Sequence, residues 1–286
     1  MKVKRFLVVI AAAGAVLFGQ VTTVEAYYYG GLYDGSSSLE NFVLDMNKRY
    51  REEKEREYYQ QIMKDFNSLV AQGDKFYANK NYSAAIDSYA KARRYSSKRI
   101  DEFYTNLVNN GDKLAAQGQH LAALDYYKKA VIMKPTDNDC SNRLWKTYSN
   151  TKNFDDAVSF YGVIAEVYPK DSYNWFILAY SYSQLNDHEN AIAAYTRSLS
   201  LKPDFAGGYK NRGKSYYNLG QYALAIQDFD NKIKLEPESN DYNWRGHTYE
   251  KMEKYKKSLK DYQKALKLNP NDEYAKKAIE RVSKMK

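Results

Sequence analysis

Apolar residues recur at helical spacing through most of this chain, in pairs of short segments separated by polar breaks. Within residues 172–203, the first segment places apolar side chains at Trp175, Leu178, Ala179 and Tyr182. After a polar break at Asn186–Asp187, the second segment places them at Ala191, Ile192, Tyr195 and Leu199. This pattern predicts two helices joined by a short turn.

The same unit repeats along the chain with a fixed period. The five prolines lie 34, 34, 34 and 33 residues apart, at Pro135, Pro169, Pro203, Pro237 and Pro270. Proline ends a helix because it lacks the N–H group and clashes with the preceding turn. A period of this length predicts stacked helix–turn–helix units that bury their apolar faces against their neighbours.

The repeated pattern W-x-x-L-[GA]-x-x-Y…A-x-x-x-[FY]…P resembles the tetratricopeptide repeat (TPR) family from about Phe66 to the C-terminus. The resemblance implies an all-α fold, a right-handed α-solenoid of about six helix–turn–helix repeats that ends in a capping helix. We expect repeats at 66–99, 104–137, 138–171, 172–205, 206–238 and 239–272, and the capping helix at 273–286.

Two places depart from this pattern. In the third repeat, Trp145 and Ile164 stand where small residues normally allow two helices to cross closely, so we expect those helices to be pushed apart or the superhelical step to change locally. The step from Gly73 to Gly111 is 38 residues, about four more than one repeat. It predicts a longer loop or an extended helix between the first two repeats.

The N-terminus has the features of a secretory signal peptide. Three cations lie within residues 1–5, an apolar run of 13 residues covers 6–18, and small residues precede position 27. The apolar run is short for a membrane span. We therefore expect residues 1–26 to be a signal peptide, and the protein to be exported to the periplasm or the extracellular space without a stable membrane span.

Two segments separate this signal from the repeats. Residues 27–38 are rich in Tyr, Gly and Ser and show no period, which predicts a flexible segment. Residues 39–65 carry an interrupted apolar stripe around the charged run 51–57, which predicts a charged helical extension. Because the heptads are not sustained, a coiled-coil arm is the weaker interpretation.

The net charge, the cysteine count and the tyrosine content indicate how the surface and the core of the protein are built. The net charge of +9 falls to +7 when the signal peptide, with three cations and one carboxylate, is removed. This excess, spread over many helices, is typical of solvated surfaces. The single cysteine, Cys140, allows no intramolecular disulfide and is expected to be a partly exposed structural thiol. Thirty tyrosines fall mostly on the aromatic positions of the repeats, with hydroxyls expected at the solvent rim.

The sequence contains no recognisable catalytic constellation. The three histidines fall in different repeats without metal-ligand spacing, and phosphate-binding and nucleophile-elbow motifs are absent. We therefore expect no enzymatic activity, no cofactor and no metal, and no nucleic-acid partner.

The family resemblance implies that the first helix of each repeat lines a groove for a peptide or another protein. Carried over by repeat position, the expected groove residues are Asn142, Arg143, Lys146, Tyr173, Phe176, Tyr180, Lys210, Asn211, Lys214, Tyr217, Asn243, Trp244 and His247. Some family members hold a C-terminal carboxylate with a fixed Lys/Asn/Arg set, which Phe176 and Ile177 interrupt here.

The predicted function is a non-catalytic scaffold that binds a protein or peptide in this groove. Two alternatives stay open. One is a structural, self-assembling envelope protein, which would form homo-oligomers. The other binds an anionic envelope polymer through the basic surface, and its binding would depend steeply on salt.

Overall fold

The computed structural model describes residues 39–285, and their side chains from Leu44 onwards. This part of the chain contains thirteen helices and no strand, so the predicted all-α solenoid is confirmed. The predicted signal peptide and the segment 27–38 lie outside the described residues. The helices are α1 (Leu39–Ala78), α2 (Tyr82–Tyr95), α3 (Ser97–Ala116), α4 (His120–Met133), α5 (Asn138–Thr151), α6 (Phe154–Val167), α7 (Ser172–Gln184), α8 (His188–Leu201), α9 (Ala206–Asn218), α10 (Tyr222–Leu235), α11 (Ser239–Lys251), α12 (Tyr255–Leu268) and α13 (Glu273–Val282).

The chain divides into two compact units, one ending at Leu69 and the other beginning at Val70. In the described part of the first unit, α1 is helical throughout and its surface is charged. Ion pairs such as Arg49–Asp45, at 2.8 Å, link successive turns. The predicted extension and the first helix of the first repeat form one uninterrupted 40-residue helix. No helix between Leu39 and Met285 is both long enough and apolar enough to cross a membrane.

Within the second unit, each repeat pairs a first helix with a second helix. The turns between them recur with the period of the sequence. Each turn contains one residue with a left-handed backbone, at Lys80, Gly118, Lys152, Asn186, Gly220 and Glu253. Glycine occupies this position in two of the six turns. In the other four turns a residue with a side chain adopts positive φ, a conformation that is sterically unfavourable for it.

The two helices of a repeat cross where a residue without a side chain meets an aromatic ring. A Cβ atom added to Gly111 would lie 2.6 Å from a ring carbon of Tyr127. The corresponding distances are 2.7 Å from Gly73 to Tyr89, 2.9 Å from Gly213 to Phe229 and 3.1 Å from Gly246 to Tyr262. The backbone of the first helix therefore lies closer to the ring than most side chains would allow.

Buried tyrosines in the repeats satisfy their hydroxyls with carboxylates rather than at the solvent rim. The Tyr127 hydroxyl donates to Asp112 at 2.7 Å, and the Tyr262 hydroxyl donates to Glu250 at 2.9 Å. Tyr148 donates in the same way to Asp156 at 2.8 Å. For these residues the expectation of solvent-exposed hydroxyls is wrong, because a neighbouring helix supplies the acceptor.

The third repeat does not close in this way. It places Trp145 where the second repeat has Gly111, and its helices α5 and α6 make little contact with each other. The Trp145 ring instead lies edge-on to Tyr180 of α7, with ring centroids 5.5 Å apart. The expected separation of these two helices is confirmed.

Helix α6 also contacts α2, two repeats earlier, so the second helices α2, α4 and α6 meet. At their junction the buried Lys128 ammonium lies 2.9 Å from an oxygen of Asp156. The same ammonium lies 5.1 Å from the ring centroid of Tyr82 and 5.4 Å from that of Phe160. A buried lysine is tolerated here because a carboxylate and two ring faces replace its water.

The four extra residues between the first two repeats lengthen a helix. Helix α3 has 20 residues against 13 or 14 in the later first helices, and only Ser96 separates it from α2. Ser96 ends α2 and its hydroxyl caps α3 by accepting from the Arg99 N–H. At the other end of the unit, α13 buries Ala275, Ala278 and Val282.

We predict that Gly111→Ala lowers the stability of the repeat domain by about 1–3 kcal/mol, because the added Cβ displaces the Tyr127 ring. Gly162→Ala in α6 is the matched control, since a Cβ there meets no atom within 4 Å. Alanine is the better helix former, so Gly162→Ala should raise stability by up to about 1 kcal/mol. Urea unfolding followed by circular dichroism measures both; equal midpoints would contradict the proposed contact.

Candidate functional site

Several of the predicted groove residues are already engaged within the repeats. Arg143 donates to Asp112 at 3.0 Å, and the Tyr173 hydroxyl donates to Asn142. These contacts link first helices of consecutive repeats. They leave the groups concerned less available to a ligand than their repeat positions suggest.

Lys210 and Asn243 are engaged too. Lys210 lies 3.2 Å from Glu238 and 3.5 Å from Asp241. Asn243 is buried and donates to Asp272 at 2.7 Å. The expectation that Asn243 is presented to a ligand is wrong, because its side chain is buried and its amide donates a hydrogen bond to Asp272, the residue that precedes α13.

Phe176 is also buried, so the expectation that it belongs to an exposed aromatic patch is wrong. Its ring centroid lies 4.7 Å from that of Phe205 and 5.8 Å from that of Tyr195. Tyr173 stacks on it from the outer side at 6.0 Å. Phe205, which precedes α9, covers the face that the sequence alone left open.

Tyr180 is half-buried in a second aromatic group. Its ring is edge-on to Trp145 and to Phe154, with centroids 5.5 and 6.1 Å away. Neither of those two partners was predicted as a site residue. Of the remaining predicted residues, Lys146 is exposed on α5 and Asn211 is half-exposed on α9.

Four predicted residues come together at the C-terminal end of the repeats. Lys214 and Tyr217 from α9 meet Trp244 and His247 from α11, and Tyr274 from α13 joins them. We call these five residues the C-terminal aromatic patch. Three consecutive first helices contribute to it.

The rings of the C-terminal aromatic patch form a continuous series. The Tyr217 centroid lies 5.7 Å from that of Trp244 and 5.1 Å from that of His247, and His247 lies 6.4 Å from Tyr274. The Tyr217 hydroxyl and His247 Nε2 are 3.3 Å apart. These contacts fix the ring orientations before any ligand arrives.

Lys214 supplies the charge of the patch. Its ammonium lies 4.8 Å from the Trp244 ring centroid. Burial, together with the charge of Lys210, lowers the pKa of Lys214. Within the described residues Lys214 forms no ion pair, although the more distant carboxylate of Asp241 acts to raise its pKa.

His247 is the titrating group of the patch. Burial lowers the pKa of the imidazole, against the attraction of Glu250 one turn later. Glu250 is held by Arg281, with N–O distances of 2.8 and 2.9 Å. The imidazole of His247 therefore lies between a cation on α9 and an ion pair that joins α11 to α13.

Tyr274 lies on α13, the capping helix, and was not among the predicted groove residues. It is 45% exposed and contacts the ring of His247. A sequence signal for it exists, since Tyr173, Gly207, Asn240 and Tyr274 follow one another at 34, 33 and 34 residues. The capping helix continues the first-helix positions of the repeats.

Cys140 is not a reactive centre. The thiol is fully buried, not partly exposed as expected, and burial raises its pKa to about 12. Its sulfur lies 3.8 Å from the Tyr127 carbonyl oxygen. Cys140 packs as a small apolar residue between the second and third repeats.

The groups of the C-terminal aromatic patch are suited to contact with a ligand. Rigid, partly exposed rings offer stacking and apolar contact, and Lys214 offers a charge-assisted hydrogen bond. This combination suits a segment that carries a carboxylate beside an apolar or aromatic side chain.

Three family models, each described as tetratricopeptide repeat, match the chain at residues 70–138, 178–243 and 240–272. These ranges leave out residues 139–177, most of which belong to the repeat whose helices are spread by Trp145. The C-terminal aromatic patch spans the second and third of the matched ranges and the start of α13.

Curated relatives match over about a third of this chain. Human serine/threonine-protein phosphatase 5 is 30% identical over 94 residues, which are 33% of this chain and 19% of the relative. The peroxisomal targeting signal receptor of Candida glabrata is 31% identical over 98 residues, which are 31% of this chain and 16% of the relative. The chain thus spans less than a fifth of either relative.

Solved structures share the fold. A crystal structure of MamA protein, 24% identical, superposes with a TM-score of 0.52 over 59% of this chain and 93% of the other. YrrB, described as a TPR protein with an unusual peptide-binding site, is 18% identical with a TM-score of 0.51, over 67% of this chain and 97% of the other.

We predict that His247 titrates below pH 6.5. The folded protein then binds fewer protons at this site than the unfolded chain, so the stabilisation is present above pH 6.5 and is lost as the pH falls through the folded pKa. Histidine Cε1 shifts followed by NMR over pH give the value, and His247→Gln assigns the signal. A midpoint at or above 6.5 would contradict the burial argument.

Proposed function

The chain belongs to the tetratricopeptide repeat family, and we propose that it is a non-catalytic scaffold that binds a protein or peptide segment on the face formed by its first helices. The binding site we propose is the C-terminal aromatic patch, on α9, α11 and α13. The single observation that carries this proposal is the position of Lys214. It is a partly buried cation over the Trp244 ring, without an ion pair among the described residues.

In the free protein, the ammonium group of Lys214 has no ion pair among the described residues. Burial and Lys210 both disfavour the charged form of Lys214. A ligand carboxylate would relieve this penalty and would form a charge-assisted hydrogen bond in a partly dehydrated site. The rings of Tyr217, His247 and Tyr274 would hold the neighbouring apolar part of the ligand.

The geometry disfavours a clamp for a terminal carboxylate of the kind that some family members use. Such a clamp needs several free Lys, Asn and Arg groups on consecutive repeats, whereas Arg143, Lys210 and Asn243 are engaged with carboxylates of this chain. We infer that the ligand presents an internal carboxylate next to an apolar residue.

The comparisons support a recognition role of this general kind. The Candida glabrata relative is named as a receptor for a targeting signal, and its match is partial. No shared ligand follows from it. The activity of the phosphatase is not carried over either, since the match covers 19% of that protein.

The site of action that we propose is the periplasm or the extracellular space. This rests on the sequence of residues 1–26, with its basic start, its short apolar run and its small residues before position 27. A modest basic surplus and a single buried cysteine are compatible with an exported protein that is stabilised by packing.

We predict that Lys214→Met weakens selective capture of a partner from envelope and secreted fractions by the immobilised chain. The change keeps the length of the side chain over Trp244 and removes the charge, so affinity should fall roughly tenfold to a hundredfold. Captured proteins are identified by mass spectrometry and their affinity is measured by calorimetry.

The matched control is Lys260→Met on the exposed face of α12, which removes the same charge outside the patch. It should capture the partner as the unmodified chain does. Equal capture by the Lys214→Met and unmodified chains would overturn the assignment of the patch.

We further predict that the protein expressed in its own host begins at Tyr27. N-terminal sequencing by mass spectrometry, applied to cell fractions, gives the result. A protein that retains residues 1–26 and stays in the cytoplasmic fraction would contradict export.

A further inference from the structure

A groove lies between the C-terminal ends of the second helices α2, α4 and α6, in repeats that the C-terminal aromatic patch does not involve. Its first cavity has a volume of about 460 Å³ and an apolar floor of Ile86, Ala90, Ile132, Met133 and Pro135. A second cavity of about 530 Å³ continues it past Val167. Thr136 and Tyr168 line both, so the two form one groove.

The groove exists because the third repeat is open. Trp145 keeps α6 away from α5, and α6 packs towards α2 instead. Tyr168, which ends α6, therefore comes to the same cavity as Ile86 and Ala90 of α2. A regular stack of repeats would keep these two helices one repeat further apart.

The rim of the groove is basic. Arg93 and Lys134 line the first cavity. Both form ion pairs with Asp101 of α3, with N–O distances of 3.4 and 3.0 Å. This contact places the first turn of α3 beside the groove. That turn and the end of α2 carry Arg94, Lys98 and Arg99, which are exposed.

The carboxylates around the groove are largely used inside the protein. Asp137 accepts from the Asp139 and Cys140 N–H groups and from the Tyr104 hydroxyl. Partial burial acts to raise the pKa of Asp137, but these hydrogen bonds lower it. Asp171 caps α7 in the same way. Arg93 and Lys134 thus line the groove with Asp101 shared between them, and Arg94, Lys98 and Arg99 add exposed positive charge at the adjoining ends of α2 and α3.

Two of these cations lie where the dipole of α3 is unfavourable for positive charge. Lys98 and Arg99 lie in the first turn of α3, where the helix dipole disfavours cations, and that turn contains no acidic residue. Arg94 is close in sequence on the preceding helix end. An acidic partner would relieve this conflict, and the apolar floor would accept a side chain from it.

We propose that this groove is a second binding site, for an acidic peptide segment of another protein that inserts one apolar side chain between α2 and α4. It would work independently of the C-terminal aromatic patch, because the two sites share no helix. The chain would then join two partners, one on its first helices and one on its second helices.

The test uses the purified chain and three labelled probes measured by fluorescence anisotropy. The probes are a short Glu-rich peptide with one central leucine, the same peptide with serine instead, and inorganic polyphosphate. We expect saturable binding of the leucine peptide, and roughly tenfold weaker binding of the serine peptide, from the lost burial of one apolar side chain.

Two variants probe the two parts of the site. Combined Arg94→Glu, Lys98→Glu and Arg99→Glu should weaken the leucine peptide more than tenfold. Ala90→Trp, at an exposed helix position on the groove floor, should weaken it about tenfold by filling the cavity. Combined Lys256→Glu, Lys257→Glu and Lys260→Glu on α12 is the charge-matched control and should have no effect.

Lys214→Met should leave this binding unchanged, which separates the groove from the C-terminal aromatic patch. Absence of saturable binding by the leucine peptide would overturn the proposal. A second result would also overturn it: the two peptides and polyphosphate bind with equal affinity, and Ala90→Trp has no effect. The cations would then act as a non-specific charged surface.

Discussion

The contact between a glycine backbone and an aromatic ring, found in four of the six repeats, is the constraint on which the rest of the structure depends. At Gly111 the approach is so close that a single added carbon would overlap the Tyr127 ring. The contact sets the crossing of each helix pair, and the crossing sets which faces remain for the next repeat. Tyrosine suits the position because a carboxylate from the first helix can accept its hydroxyl hydrogen bond.

The third repeat shows what happens when this constraint is broken. Trp145 cannot fit under a ring, so α5 and α6 separate and α6 finds a partner in α2. Lys128, which is buried, then forms an ion pair with the half-buried Asp156 at the junction of the second helices. The same rearrangement opens the groove beside Tyr168, so one large residue in a repeat that otherwise requires a small one creates both a structural joint and a surface for binding.

The two proposed binding surfaces differ in how their charges are arranged. On the first helices, Arg143 and Lys210 are neutralised within the chain, which leaves Lys214 beside a set of fixed rings. On the second helices, Arg93 and Lys134 line the groove and share Asp101, and exposed cations follow at the junction of α2 and α3. The first surface therefore selects by stacking and one charge, and the second by an acidic stretch and one apolar anchor.

The sequence by itself determined the helix pairs, their period and the departure at Trp145, because helical spacing and turn residues are local properties. It also placed Lys214, Tyr217, Trp244 and His247 together, since the period carries equivalent positions to one face. Only the tertiary structure decided which groove residues are free: Phe176 is covered by another ring, and many polar side chains are bound by distant carboxylates. Such pairing depends on distances between repeats, which a one-dimensional pattern does not contain.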